Sequence, residues 1–326
     1  MKHIFIVNPA AGNGKTLPAL LQKITFSAQK LGVDYEIYHT QTVGDATRHT
    51  KKLIAASPDE TLRFYACGGD GTMNEVANAV ACHKNAEIAV IPNGTGNDFI
   101  RSFSHIDNFS DIDTSILGKA IPLDIIRYGD KYSLNILNIG LDSDVVKRVE
   151  EIKRASWVPH GMAYSIAITQ VLTRSYGQHF KLTTEDGTVY ENDFIIAVFA
   201  NARYYGSGYK SAPNALLNDG LMDVCFFDKI PRTTLMKILP KYKSGTYMET
   251  LEQTPYIHYL KCKKITFDAP DFMSVCADGE LSPAKHLDIE VIPGGINVVV
   301  PKGSKCLALV KKNKDSSEQT TETQEK

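Results

Sequence analysis

The residues best suited to chemistry form the run Gly68–Thr72, with the sequence GGDGT, and the pair Asn74-Glu75 just after it. Three glycines let the backbone approach a polyphosphate closely, and the N–H groups at a helix start can meet its negative charge. Asp70 then offers a carboxylate to Mg²⁺ at the phosphates. A tight turn that caps a helix would also use glycine, but five specified residues between a strand and a helix favour a nucleotide-phosphate site.

A second glycine-rich turn, Pro92–Phe99 with the sequence PNGTGNDF, follows another apolar strand-like run. Thr95 and Asn97 can bind phosphate or ribose oxygens, and Asp98 can act on the metal ion directly or through its water. Alone, such a segment would more often be a turn with an Asn or Asp cap. Because ligands bind at the carboxyl ends of parallel strands, we expect the two turns to lie side by side.

A third loop, Asn8–Thr16, ends in the tripeptide GKT (14–16) and so imitates a P-loop. The P-loop pattern requires glycine where Pro9 stands, and a dinucleotide-binding fingerprint requires glycine in place of Leu17. Neither pattern fits. The loop could still cover a nucleotide, and whether Lys15 faces phosphate or solvent stays open.

A late acidic segment, Asp278-Gly279-Glu280, supplies two more carboxylates. Kinase chemistry needs a carboxylate near the attacking hydroxyl, opposite metal-held phosphates. Asp278 and Glu280 are therefore candidates for that role. Asp-Gly is also a common turn between strands, and without the upstream glycine turns we would prefer that interpretation.

The elements that must position these residues change character along the chain. The first hundred residues alternate strand and helix signals, which predicts a doubly wound parallel-sheet α/β domain. Its predicted strands are 4–7, 33–38, 62–67 and 88–91, and its predicted helices are 17–31, 46–56 and 73–81.

Strand-like runs dominate after about residue 122, separated by turn signals, and predict a second, antiparallel β-sandwich-like domain. The predicted strands are 123–128, 132–139, 179–184, 189–200, 222–227, 264–268, 273–277, 287–292 and 296–300, with helices near 144–154, 160–174 and 232–243. We expect an α/β domain at 1–122, to which residues 302–310 return, a β-rich domain at 123–301 and a disordered tail at 311–326.

Composition, cysteine spacing and the length of apolar runs disfavour several classes of protein. A formal net charge of −1 disfavours a nucleic-acid binder. The six cysteines form no C-x-x-C pair, which disfavours a zinc site and is typical of a reducing cytoplasm. The N-terminal apolar run is too short for a signal peptide, and no run reaches the roughly 20 apolar residues that span a bilayer.

Taken together and in this order, the motifs resemble the diacylglycerol kinase catalytic-domain family, which includes sphingosine and ceramide kinases and bacterial lipid kinases. The resemblance rests on Asn8-Pro9 with Gly12, Gly68–Thr72 with Asn74-Glu75, Gly94–Phe99, the blocks at 199–206, 212–213 and 216–221, and Ala277–Glu280. It covers nearly the whole chain, from residue 2 to about residue 301.

The resemblance implies ATP and Mg²⁺ as cofactors and an active site between an α/β domain and a β-rich lipid-substrate domain. The implied nucleotide-binding residues are Asn8, Thr40, Gly68, Gly69, Asp70, Gly71, Thr72, Asn74, Glu75, Gly94, Thr95 and Asn97. The catalytic candidates are Glu280, Asp70, Asp98 and Asp278. A structural Mg²⁺ is implied at the carboxylate of Asp219 and the backbone oxygens of Leu216 and Leu221.

We therefore expect an ATP-dependent lipid kinase, with diacylglycerol the first candidate and other lipid alcohols open. One alternative is a kinase for a soluble metabolite, since NAD kinases share a GGDGT loop; another is a non-catalytic nucleotide-binding protein. We expect a cytoplasmic protein that meets its lipid peripherally at the inner face of the membrane, and a homodimer stays open. The basic amphipathic segments 160–174 and 232–243 could contact that surface, although each taken singly is more simply an ordinary helix.

Overall fold

A computed structural model describes residues 1–94, 96–154, 166–167, 170–171, 177–206 and 208–310. Four parallel strands build the sheet of its N-terminal half, in the order β4-β3-β1-β2. They are β1 Lys2–Val7, β2 Tyr35–His39, β3 Leu62–Gly68 and β4 Ala86–Pro92. The carboxyl ends of β1, β3 and β4 thus lie next to one another, which is where a ligand site is expected in such a sheet.

Helices cover both faces of this parallel sheet. They are α1 Leu17–Leu31, α2 Asp45–Ala56, α3 Asp70–Val80 and α4 Ile112–Ile116. Successive side chains of a strand point to opposite faces. Accordingly Ile4 and Phe64 pack in the cluster that contains α2 and α3, whereas Phe5 and Tyr65 pack in the cluster that contains α1 and α4.

The second half of the chain is rich in antiparallel strands. They are β5 Lys119–Tyr128, β6 Lys131–Ser133, β7 Ile136–Gly140, β8 Gln178–Thr184, β9 Val189–Ala200, β10 Met222–Asp228, β11 Ile257–Cys262, β12 Lys264–Ala277 and β13 Glu280–Val300. Two helices, α5 Leu141–Arg154 and α6 Arg232–Ser244, pack against them.

The long strand β13 joins the two halves. Its first part pairs with β12, and its later part pairs with β5 in antiparallel fashion. Near its end, Val298 pairs with Ile88 of β4 in parallel fashion. The thirteen described strands therefore belong to one connected sheet, with the parallel strands at one end and the antiparallel strands at the other.

The last described residues fold back onto the N-terminal half. The Leu307 N–H donates to the Ser102 carbonyl at 2.8 Å, and the Ser104 N–H donates to the Lys305 carbonyl at 2.8 Å. Ala308 is fully buried in the cluster that also holds α2 and α3. Of the described helices, none has the length and apolarity needed to cross a membrane. The predicted tail at 311–326 and most of the predicted helix at 160–174 lie outside the described residues.

Candidate active site

The two glycine-rich turns touch each other at the carboxyl ends of β3 and β4. The Asp70 N–H donates to the Gly96 carbonyl at 3.1 Å. A Cβ added to Gly94 would lie 2.6 Å from the Cα of Gly69, so that only glycine permits this approach. The expectation that the turns lie side by side is confirmed. The run Gly68–Thr72 forms the end of β3 and the start of α3.

Asp70 is the first residue of α3 and lies between the two turns. Its Oδ1 accepts a hydrogen bond from the Asp98 N–H at 3.2 Å. A Cβ on Gly96 would meet its Oδ2 at 2.6 Å, so glycine is needed there as well. Burial raises the pKa of Asp70 to about 6, and the negative charges of Asp98 and Asp278 add to the effect. A cation at this carboxylate would therefore be strongly favoured.

Asp98 is buried and forms an ion pair with Arg101, whose Nε donates to its Oδ1 at 3.1 Å. Asp70, Asp98 and Asp278 line one cavity of about 180 Å³, which we call the carboxylate cavity. Three predicted acidic residues distant in sequence are thus brought together. Other lining residues are Met73, Asn135, Ile136, Asn138, Val146 and Tyr205.

The carboxylate of Asp278 also orders the backbone beside the same cavity. Its carboxylate accepts hydrogen bonds from the Ser133 hydroxyl at 2.9 Å and from the backbone N–H groups of Leu134, Asn135 and Ile136 at 2.7, 3.1 and 2.9 Å. Burial raises its pKa, while these hydrogen bonds act in the opposite direction. The side chain therefore holds the connection between β6 and β7 in place.

Glu280 does not line the carboxylate cavity. It is exposed at the start of β13 and lines a separate cavity of about 270 Å³, the glutamate cavity, together with Asn74, Glu75 and Lys131. The two carboxylates of the Asp278-Gly279-Glu280 segment thus face different spaces. The sequence alone could not separate them.

A third cavity of about 400 Å³, the threonine cavity, opens between the ends of β1 and β2 and the starts of α2 and α3. Four of the predicted nucleotide-binding residues line it: Asn8, Thr40, Thr72 and Glu75. The Asn8 Nδ2 donates to the Thr72 hydroxyl at 3.2 Å. A Cβ on Gly68 would lie 2.3 Å from that hydroxyl oxygen, which explains why the last residue of β3 must be glycine.

The first two turns of α3 connect the three cavities. Asp70 and Met73 face the carboxylate cavity, Thr72 and Glu75 line the threonine cavity, and Asn74 lines the glutamate cavity. The helix periodicity of 3.6 residues separates these positions onto different faces. A molecule that lies across the start of α3 would therefore contact residues from all three spaces.

Glu75 and Asn74 also make contacts that order the surroundings. The carboxylate of Glu75 accepts the backbone N–H groups of Gly44 at 2.9 Å and Ala46 at 3.1 Å, and thereby caps the start of α2. The Asn74 side chain accepts a hydrogen bond from Asn78 Nδ2 at 2.8 Å.

The second glycine turn is held by Asn97, whose Nδ2 donates to the Gly94 carbonyl at 3.0 Å. Asn97 thus shapes the turn that contacts Asp70. The predicted phosphate ligand Thr95 lies outside the described residues.

The implied Mg²⁺ site at Asp219 does not fit the residues around it. The Lys261 ammonium lies 2.9 Å from Asp219 Oδ2, and the Leu221 N–H donates to Asp219 Oδ1 at 3.1 Å. A Mg²⁺ ion would lie about 2.0–2.1 Å from the carboxylate oxygen that binds it, close to that ammonium. Within the ranges described above, no cluster of three or more His, Cys, Asp or Glu side chains is arranged to hold a metal ion.

Several contacts of the site were absent from the sequence prediction. Asn135 and Asn138 line the carboxylate cavity, and Lys261 meets Asp219. A polar residue inside the apolar strand β7, with the sequence ILNIG, is a signal that could have drawn attention to Asn138. No local signal marks Lys261, because its partners depend on strand pairing.

Two family sequence patterns match most of the chain. The pattern described as diacylglycerol kinase catalytic domain matches residues 2–128. The pattern described as YegS C-terminal NAD kinase beta sandwich-like domain matches residues 135–300. The two matches divide the chain close to the end of β5 and support a two-domain arrangement with a β-rich C-terminal part.

Similar proteins carry related descriptions. A YegS-like lipid kinase of Shewanella frigidimarina (strain NCIMB 400) is 29 % identical over 263 residues, which cover 78 % of this chain and 82 % of that protein. A diacylglycerol kinase of Staphylococcus carnosus (strain TM300) is 27 % identical over 314 residues, or 94 % of this chain and 98 % of that protein.

Among solved structures, a candidate diacylglycerol kinase from Bacillus anthracis str. Sterne superposes with a TM-score of 0.72 at 26 % sequence identity. The match covers 92 % of this chain and 95 % of that chain. The likeness therefore extends over both halves of the fold described above.

Proposed function

This chain belongs to the diacylglycerol kinase catalytic-domain family, and from that premise we propose that it is an ATP-dependent lipid kinase. It transfers the γ-phosphoryl group of ATP to a lipid hydroxyl, with diacylglycerol the first candidate and phosphatidic acid the product. The observation that carries the proposal is the position of Asp70 at the glycine turn, where it lines the carboxylate cavity two residues before Thr72, which lines the threonine cavity.

In this proposal the nucleotide enters the threonine cavity, and its phosphates lie over the turn Gly68–Thr72. There the N–H groups at the start of α3 meet the phosphate charge. The metal ion arrives with ATP as part of that substrate. Asp70 and Asp98 would face it, and a cation there would stabilise ionised Asp70, whose pKa is raised to about 6 by burial and by the negative charges of Asp98 and Asp278.

The acceptor lies in the carboxylate cavity, and its hydroxyl reaches the edge of that cavity where Gly279 precedes Glu280 of the glutamate cavity. An apolar cavity of about 80 Å³ lies beside the carboxylate cavity and shares Tyr205 with it. Leu141, Val145 and Leu239 line the apolar cavity. Adjacent polar and apolar spaces fit a molecule with a hydroxyl at one end and hydrocarbon at the other, which supports a lipid acceptor over a wholly polar one.

Two carboxylates compete for the role of proton acceptor. The family resemblance assigns it to Glu280, which lines the glutamate cavity. Asp70 faces the carboxylate cavity, and a group with a pKa of about 6 can accept a proton near neutral pH. We retain Glu280 as the proposed general base and treat Asp70 as a metal-facing residue, because like charges around Asp70 favour a cation.

A membrane surface is the proposed location of the substrate, and α6 is the described element best suited to touch it. Met236 on this helix is 57 % exposed. Arg232, Lys237 and Lys241 on the same helix are also exposed, whereas the neighbouring Leu235 is buried. An exposed apolar side chain among cations can bind the interface of an anionic bilayer.

An NAD kinase activity is the second candidate, because the pattern matched by residues 135–300 is described as NAD kinase beta sandwich-like. The experiment that separates the two offers γ-labelled ATP with a panel of acceptors: diacylglycerol in mixed micelles, other lipid alcohols and NAD. We expect label in a lipid product that partitions into organic solvent. Label in a water-soluble dinucleotide alone would favour the second candidate, and binding of ATP without any labelled product would favour a non-catalytic role.

A further inference from the structure

We propose that the Lys261 ammonium is the built-in cation of the loop Leu216–Leu221, in place of the divalent metal ion that the family resemblance implies there. The ammonium lies 2.9 Å from Asp219 Oδ2 and 3.1 Å from Asp223 Oδ2. Asp223 is fully buried, and the side chain of Asp219 is 12 % exposed. Two such carboxylates need a nearby positive charge, because an unpaired buried charge is costly.

Strand pairing places the positive charge of Lys261 next to Asp223, so that no bound ligand is needed to supply it. Asp223 in β10 and Lys261 in β11 are directly opposite each other in the antiparallel register. Tyr259, two residues before Lys261 and hence on the same face of β11, donates its hydroxyl to Asp223 Oδ1. The register therefore fixes the ammonium next to Asp223, and Asp219 in the preceding loop also contacts it.

The loop that carries Asp219 links the two halves of the molecule. The Gly220 N–H donates to Asp124 Oδ2 at 2.7 Å, and the Asp124 N–H donates to the Leu217 carbonyl at 2.8 Å. The Leu217 N–H donates in turn to the Ala308 carbonyl at 2.6 Å. Loss of the positive charge at Asp219 should therefore lower the stability of the whole fold, which melting temperature reports.

Thermal melting of the full chain with EDTA or with Mg²⁺ tests the proposal. The protein carries Asp70→Asn throughout, so that metal binding in the carboxylate cavity does not contribute. We expect the same melting temperature in both solutions. We expect Lys261→Met to lower it by about 5 °C or more in EDTA and to regain part of that loss with Mg²⁺, because two unpaired carboxylates then attract the ion.

Lys264→Met is the matched control, since Lys264 is a nearby exposed lysine 3.6 Å from Asp288. It should leave the melting temperature nearly unchanged. One result would overturn the proposal in favour of a metal ion. In it, the protein that retains Lys261 melts at a clearly lower temperature in EDTA than in Mg²⁺, and this difference between the two solutions is absent in Asp219→Asn. A Lys261→Met protein that melts like its parent in both solutions would also overturn the proposal. If Lys261→Met does not fold, the EDTA and Mg²⁺ comparison of the parent still decides, and no arm of the experiment depends on kinase activity.

Discussion

Asp70 stands at the glycine turn with its carboxylate close to Asp98, and its pKa of about 6 lies above the ordinary value of 3.8. The folded protein therefore holds the Asp70 proton more tightly than the unfolded chain does. Ionised Asp70 costs stability above about pH 6, and this penalty is lost progressively as the pH falls from 6 towards the ordinary value of 3.8. A residue that destabilises the free protein in this way is typical of a site built to receive a cation.

We predict that Asp70→Asn raises the melting temperature at pH 7 and above, and that this gain shrinks progressively as the pH falls from 6 towards 4. The pKa difference corresponds to at most ~3 kcal/mol, and partial exposure of the side chain reduces this to about 1–2 kcal/mol. Melting curves across this pH range, with the exposed Asp271→Asn as control, give the measurement. Equal melting temperatures of Asp70→Asn and the parent at every pH would show that burial and the neighbouring negative charges do not destabilise ionised Asp70.

We predict that Glu280→Gln lowers the catalytic rate, whereas Asp278→Asn lowers the stability of the fold. Glu280→Gln should lower kcat by roughly 10²–10⁴-fold with an unchanged melting temperature, since a positioned base contributes about that much and the side chain is exposed. Asp278→Asn should lower the melting temperature, because an amide cannot accept the four hydrogen bonds as a carboxylate does.

Single-turnover transfer to diacylglycerol under saturating ATP, with melting curves of the same proteins, separates these effects. If Glu280→Gln transfers at the parental rate, Glu280 is not the base, and Asp70 becomes the leading candidate.

At the scale of elements, most of the secondary structure of the N-terminal half can be predicted from the sequence. Residues 17–31 and 46–56 were predicted as helices and form α1 and α2 with nearly the same bounds. Their apolar residues recur at helical spacing over several turns, so that the signal is strong. The positions of the two glycine turns can also be predicted, because the strand before each turn and the start of α3 have clear local sequence patterns.

Other elements carry too little local signal. Helix α4 has five residues, which is too few for a periodic pattern, and β11, with the sequence IHYLKC, shows no clean alternation. The contact of Lys261 with Asp219 depends on the register between β10 and β11. The separation of Asp278 from Glu280 depends on the packing of β7 against β12. Such long-range pairings cannot be read from a single local stretch.

Helix α2 depends on a side chain from α3, and we predict that Glu75→Ala weakens both the fold and the nucleotide site. The change removes two hydrogen bonds to the first turn of α2, at Gly44 and Ala46. A cap of this kind contributes about 0.5–2 kcal/mol. Because this turn borders the threonine cavity, the KM for ATP should rise several-fold while the melting temperature falls by a few degrees.

Asp59→Ala, which changes an exposed aspartate after α2, is the control for a general effect of lost charge. A normal KM for ATP in Glu75→Ala would place the nucleotide away from the threonine cavity.

At the scale of the whole molecule, the net charge of −1 gives no general attraction to anionic lipid. In the proposed function, local charge on α6 supplies this attraction. We predict that the protein sediments with anionic vesicles, that salt releases it, and that Lys237→Glu with Lys241→Glu reduces the bound fraction at least several-fold. Exposed contacts are screened over a Debye length of about 8 Å at physiological ionic strength.

Lys23→Glu with Lys84→Glu makes the same change of total charge on exposed residues elsewhere and should sediment like the parent. Binding that falls equally in both double variants would mean that net charge, and not the face of α6, attracts the protein to the vesicles.

The whole molecule brings the threonine cavity, the glycine turn with Asp70 and the carboxylate cavity with its apolar neighbour onto one connected sheet. Single-turnover transfer from γ-labelled ATP to diacylglycerol in mixed micelles, followed by organic extraction, tests this arrangement most directly when the parent and Asp70→Asn proteins are compared. We predict labelled lipid with the parent protein and a loss of at least about 10³-fold in rate with Asp70→Asn, which keeps its fold. Equal rates for the two proteins at saturating Mg²⁺, or no labelled lipid from the parent, would contradict it.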